Sequence, residues 1–104
     1  MIQLGNLEET VLLLVMIMDE EAYGYAVSKE YLRQNGKDIS ISAVHTVLSR
    51  LEKKGLIQSK MGGSTEERGG RRKRIFQTTD YGVRTAQELK AHRTKLWNQL
   101  PQLQ

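Results

Sequence analysis

The amino-acid sequence predicts a mainly α fold with one small antiparallel β-hairpin, an α+β chain built as a single structural unit. Three features carry that prediction. Apolar residues recur at helical spacing in four separate segments. Glycines fall where those segments stop, and two short β-rich stretches flank a glycine-bounded basic loop. A chain of 104 residues fills one modest core and not two.

Asn6 followed by Glu9 reads as a helix N-cap with a supporting side chain at its third position. Glu8 and Glu9 also suit the positive end of the helix dipole. The helix continues through VLLLVMIM at 11–18, apolar all round, so every side needs cover. In so small a domain one side is expected to pack on the chain itself and the other on a second subunit. The run is far short of the ~20 apolar residues that span a bilayer. With no basic stretch ahead of it and no small-residue cleavage site, neither a membrane span nor a secretory signal is expected, and a cytoplasmic location is.

A second helix is expected over 23–34, with Tyr23, Val27 and Tyr31 on one face and a left-handed stop at Asn35 and Gly36. Residues 39–42 carry the β-branched Ile39 and Ile41 and read as one short paired turn of strand. Ser40 or Ser42 then caps a third helix that runs to Lys54, with Lys53 and Lys54 at its negative end and Gly55 closing it. Strands at 56–61 and 72–78 follow, joined by a loop of about ten residues with glycine pairs at 62–63 and 69–70. Ile75 and Phe76 are adjacent, so alternation leaves open which of them faces inward. Thr79 or Asp80 caps a last helix. Its Ala86, Leu89, Arg93, Leu96, Leu100 and Leu103 form a heptad-like seam interrupted by Arg93, with Trp97 beside it. Pro101 is expected to end that helix at Leu100.

Charge is divided sharply along this order. Residues 1–41 hold three bases against seven acids, residues 42–78 nine against three, and residues 79–104 four against two. The net charge of +4 therefore hides a central block of +6, an electrostatic footprint for a polyanion. Within the block, the third helix projected at ~100° per residue gathers Val44, Val47, Leu48 and Leu51 on one side. Ser42, Thr46, Ser49 and Lys53 gather on the other, flanked by His45 and Arg50. Short hydroxyls let a helix backbone approach base edges, and long cations reach phosphates. Arg71, Arg72, Lys73 and Arg74 would repel one another along a strand unless an anion screened them, and Arg68 adds a charge near the tip.

Other chemistries find little support. The chain has no cysteine, so it carries no disulfide framework or zinc-thiolate site. His45 and His92 stand far apart with no ligand cluster around them, so no metal and no cofactor is expected. No nucleophile–base spacing or phosphate-binding glycine loop is present, and the chain is not expected to be an enzyme. Single-strand or RNA binding usually needs exposed aromatics for stacking, and the basic block offers Phe76 alone.

The blocks AYGYAVSKEYL, ISAVHTVLSRLEKKGLIQS and GGRRKRIFQTTDYG resemble, in order and spacing, the PadR family of bacterial winged helix-turn-helix transcriptional regulators. The similarity runs over residues 4–89. The resemblance implies a winged helix-turn-helix over residues 1–78 and a C-terminal dimerisation helix over 79–104. It further implies a homodimeric repressor bound to double-stranded DNA, with the third helix in the major groove and the hairpin on the flanking backbone. The residues assigned to the duplex are then Ser42, His45, Thr46, Ser49, Arg50, Lys53, Arg68, Gly69, Gly70, Arg71, Arg72 and Lys73. Leu12, Val15, Leu89, Leu96, Trp97 and Leu100 are assigned to the dimer interface. Trp97 is also a candidate wall for a small hydrophobic effector, since some short-tailed members sense aromatic compounds. One departure is that His45 stands where many members carry tyrosine. A reading from another class is a winged-helix protein-interaction adaptor whose basic hairpin meets an acidic partner.

Overall fold

The computed structural model describes residues 2–64 and 72–102. Its elements are α1 (Asn6–Met18), a single 3-10 turn (Asp19–Glu21), α2 (Gly24–Asn35), α3 (Ile41–Lys53), β1 (Ile57–Ser64), β2 (Arg72–Thr78) and α4 (Asp80–Trp97). Four helices and a two-stranded antiparallel hairpin make the expected α+β winged-helix fold.

α1 is the centre of the molecule, packed by α2, α3, β2 and α4. Its Val11, Leu12, Leu14 and Val15 join Val27 of α2, Val44, Val47, Leu48 and Leu51 of α3, Leu56, Ile57, Phe76 and Ala86 in one core. The cap of α1 lies one residue earlier than Asn6. Gly5 is the N-cap, and its N–H donates to Glu8 Oε1 at 3.0 Å. That shift frees Glu9, which is buried and receives Arg93 of α4 at 2.5 Å. Glu8 turns its other oxygen to Lys54 Nζ, 2.8 Å away. Two ion pairs thus fasten the start of α1 to the end of α3 and to α4.

The Lys54 ammonium, and after it the Gly5 N–H, hold the Glu8 carboxyl below its ordinary value. A carboxylate depressed on folding contributes stability above its unfolded pKa of about 4.3 and loses it as pH falls through the folded value. Wild type should therefore lose more stability than Glu8→Gln between pH 7 and pH 3. Urea unfolding at several pH values checks this, and parallel curves for the two proteins would contradict it.

The turn after α1 is strained. Asp19 adopts φ 53, ψ −121, a conformation that costs a non-glycine residue about 1–3 kcal/mol. Its N–H donates to Val15 O, and its own carbonyl accepts from Ala22 N at 3.2 Å. The turn delivers Ala22 to the open edge of β2, where its carbonyl accepts from Phe76 N at 2.8 Å. The edge strand is thereby partly covered.

Ser40 caps α3, its Oγ accepting from Ala43 N at 3.0 Å. Ile41 is accordingly helical, and the expected strand at 39–42 does not form, because capping commits Ser40 and the hairpin's edge is taken by Ala22. Gly36 (φ 72) ends α2 and Gly55 (φ 79) ends α3, both in the left-handed region where a Cβ is costly. β1 is longer than the sequence suggested, reaching Ser64 through a register shift after Met61. The ambiguity at Ile75 and Phe76 resolves as both: Phe76 enters the core, while Ile75 packs over Gly62 on the opposite face.

α4 is capped by Thr79, whose Oγ1 accepts from Gly82 N at 3.0 Å. Its first half is anchored by buried Gly82, Thr85 and Ala86, but residues 91–100 are all exposed. The helix stops at Trp97, three residues before Leu100, as Gln99 and Leu100 tighten into i→i−3 bonds ahead of Pro101. Leu103 lies outside the described residues. A radius of gyration of 15.3 Å, against about 13 Å for a compact chain of this length, reflects that projecting half-helix.

Candidate nucleic-acid interface

α3 has the most clearly divided surface of the chain. Val44, Val47, Leu48 and Leu51 are buried, which forces the opposite side outward. There Ser42, His45, Thr46, Ser49, Arg50 and Lys53 are exposed and line one shallow concavity. These six are half of the residues that the sequence assigned to a duplex, and the fold brings them together. Thr46 Oγ1 donates back to Ser42 O at 3.1 Å.

α2 packs against α3, and the contact depends on Gly24, a residue whose role the sequence does not reveal. A Cβ built on Gly24 would stand 2.6 Å from both Cε1 and Nε2 of the His45 ring. The imidazole therefore lies on bare backbone at the start of α2. The missing side chain at Gly24 leaves the room that the His45 ring takes against α2. A glycine in the first turn of a helix, where no tight turn demands it, was the available signal.

The hairpin lies beside this face. Lys73 Nζ sits 4.5 Å above the ring centroid of Tyr23, the N-cap of α2, so this cation is held next to the helix-turn-helix. Arg72 Nε donates to Gly62 O at 3.1 Å across the bulge. Arg74 donates to Ser59 Oγ at 3.1 Å, and Ser59 donates to Glu52 Oε2 at 2.7 Å. That relay ties the hairpin to the end of α3 and turns the one acid of α3 away from the hydroxyl face. Arg68, Gly69, Gly70 and Arg71 lie outside the described residues. On α2, Glu30 is held below its ordinary value by Arg33, first through the Arg33 hydrogen bond and then that of Gln34. Arg33 is correspondingly raised by Glu30, so this exposed pair leaves little free charge there.

A second, apolar surface runs along α1 and α4. Leu13, Ile17, Leu96, Trp97 and Leu100 are exposed, Ile17 and Trp97 both at 64%. Leu13, Met16, Ala86, Arg93 and Trp97 line a groove of ≈ 320 Å³ between α1 and α4. Leu12 and Val15, assigned from sequence to a subunit interface, are 0% and 1% exposed in the chain's own core. The outward residues of α1 are Leu13 and Ile17 instead, because 11–18 is apolar on every face and composition could not tell inner from outer. Leu89 is half-buried. Among the described residues no three metal-ligating side chains cluster, and no helix is long and apolar enough to cross a membrane.

Solved structures share this architecture. A PadR family transcriptional regulator from Eggerthella lenta is 31% identical, with 88% of this chain and 80% of that one aligned at a TM-score of 0.66. A PadR-like transcription factor from Bacteroides fragilis aligns over 88% of this chain and 84% of its own, at 23% identity and a TM-score of 0.74. A PadR-like transcriptional regulator from Bacillus cereus aligns over the same shares, at 24% identity and a TM-score of 0.70. The last two attest the fold alone. No curated protein sequence matches the chain. The model of the transcriptional regulator PadR-like family matches residues 12–88, and that family is regulatory and not enzymatic. With the winged-helix architecture and the extent of that match together, the chain belongs to the PadR-like family of transcriptional regulators.

Proposed function

We propose that this regulator binds duplex DNA sequence-specifically as a homodimer and represses the gene it occupies. The observation that supports this reading is the exposed face of α3, where three short hydroxyls lie flanked by His45, Arg50 and Lys53. Such a face enters a major groove: the hydroxyls meet base edges while the cations meet phosphates. Arg68, Gly69, Gly70, Arg71, Arg72 and Lys73 would extend the contact along the flanking backbone or minor groove. Two copies would place their α3 helices about one helical turn apart, ~34 Å, on a pseudo-palindromic site. Selection of bound sequences from a random duplex pool tests this. Enrichment of a two-fold-related motif supports the reading, and a pool that stays random contradicts it.

In this reading residues 1–78 contact DNA and residues 79–104 pair the copies. The exposed Leu13, Ile17, Leu96, Trp97 and Leu100 form a surface that a second subunit would cover. Leu96→Glu is expected to convert a dimer into a monomer in sedimentation velocity, with an unchanged far-ultraviolet circular dichroism spectrum. A dimer that survives the substitution would remove the projecting half of α4 from the interface. The α1–α4 groove beside Trp97 is the place for a small hydrophobic effector, since its walls are largely apolar with an aromatic face at one end.

A further inference from the structure

We propose that Thr46 reads the methyl group of a thymine, an inference that rests on the DNA-binding reading and names the base it selects. Thr46 stands centrally on the outward face of α3, with Ser42 one turn before it and Ser49 and Arg50 one turn after. Its hydroxyl carries a single hydrogen, and that hydrogen is spent on Ser42 O within the helix, at 3.1 Å. Among the described residues neither Ser42 nor Ser49 has its hydroxyl committed in this way. Thr46 therefore presents outward a methyl group and an oxygen that can accept but cannot donate.

Base edges in the major groove sort against that pair of groups. The guanine edge offers two acceptors, which a spent hydroxyl oxygen cannot satisfy. Cytosine offers a donor and no methyl. An A·T pair offers both the thymine methyl and the adenine N6 donor, so it alone matches both groups that Thr46 exposes. The back-bond also fixes the side chain before binding, so little rotamer freedom remains to be lost.

The test uses the full chain and a duplex selected from a random pool, with each thymine replaced in turn by deoxyuridine. Wild type is expected to lose about fourfold in affinity at one thymine in each half-site, the weight of one buried methyl. Thr46→Ser, which keeps the hydroxyl and drops the methyl, should bind the thymine and deoxyuridine duplexes equally at that position. Thr46→Val, which keeps a methyl and drops the hydroxyl, should retain the thymine preference. Because Thr46 is exposed, both variants should melt like wild type. The proposal is overturned if a defined site is selected but no thymine is sensitive, or if sensitivity persists in Thr46→Ser. It is overturned equally if Thr46→Val loses the thymine preference. A pool that yields no preferred sequence overturns it too, but there the DNA-binding reading itself has failed.

Discussion

Gly82→Ala is expected to lower the thermal unfolding midpoint by at least roughly 10 °C, from an overpacking and capping cost of about 3 kcal/mol in a domain of this size. Gly82 is buried in the first turn of α4. A Cβ there would overlap the carbonyl oxygen of Leu56 and stand 2.7 Å from Thr78 Cγ2. The first obstacle is backbone, so no side chain can swing aside to admit the methyl. That same carbonyl accepts from Thr79 N at 3.0 Å, and Thr79 caps α4 through Gly82 N. Displacing either partner loosens the junction where the hairpin hands over to α4. Gly63→Ala is the control, since a Cβ there meets nothing within 4 Å, and its effect should stay within about 0.5 kcal/mol. Equal melting of the two variants would mean that α4 does not dock through this contact.

The largest functional effect is expected from removing charge beside the hydroxyl face. Replacing Arg50, Lys53, Arg72 and Lys73 together by alanine should make the slope of log affinity against log salt shallower by roughly 3.6, at about 0.9 for each phosphate left without its cation. Over a rise from 50 to 200 mM salt, wild type should then lose on the order of a hundredfold more affinity than the variant. The loss should be nearly the same on any duplex, because phosphate contacts carry no sequence information directly. Fluorescence anisotropy on specific and scrambled duplexes measures both quantities. An unchanged slope would place the phosphates elsewhere on the protein. Lys73 also rests on the Tyr23 ring, so circular dichroism of the variant must confirm that the start of α2 is intact.

Much of this could be read from the sequence wherever a local rule has a single outcome. Gly36 and Gly55 stop their helices because few other residues tolerate the required φ. The split of α3 into Val44, Val47, Leu48 and Leu51 against a hydroxyl-rich face is strict helical periodicity, and six candidate interface residues met on it. Where periodicity carried no angular information, the reading failed. In α1 it could not separate inner Leu12 and Val15 from outer Leu13 and Ile17. Ile75 and Phe76 broke alternation because the hairpin buries residues on both faces, one in the core and one over Gly62. The early cap of α1 was hidden because a backbone N–H and Glu8, not the side chain of Asn6, complete it. Gly24 shows in the sequence only as a glycine in the first turn of a helix, because its reason for being small is a ring twenty-one positions away.

In the proposed mode of binding, the face of α3 selects a duplex sequence while neighbouring cations hold its backbone. The most direct measurement is the affinity of the full chain for a selected duplex, a scrambled duplex and heparin across 50–200 mM salt. The selected duplex is expected to bind at least about a thousandfold more tightly than the scrambled one, with both affinities falling steeply as salt rises. Equal affinity for the two duplexes and heparin, or binding that is indifferent to salt, would contradict it.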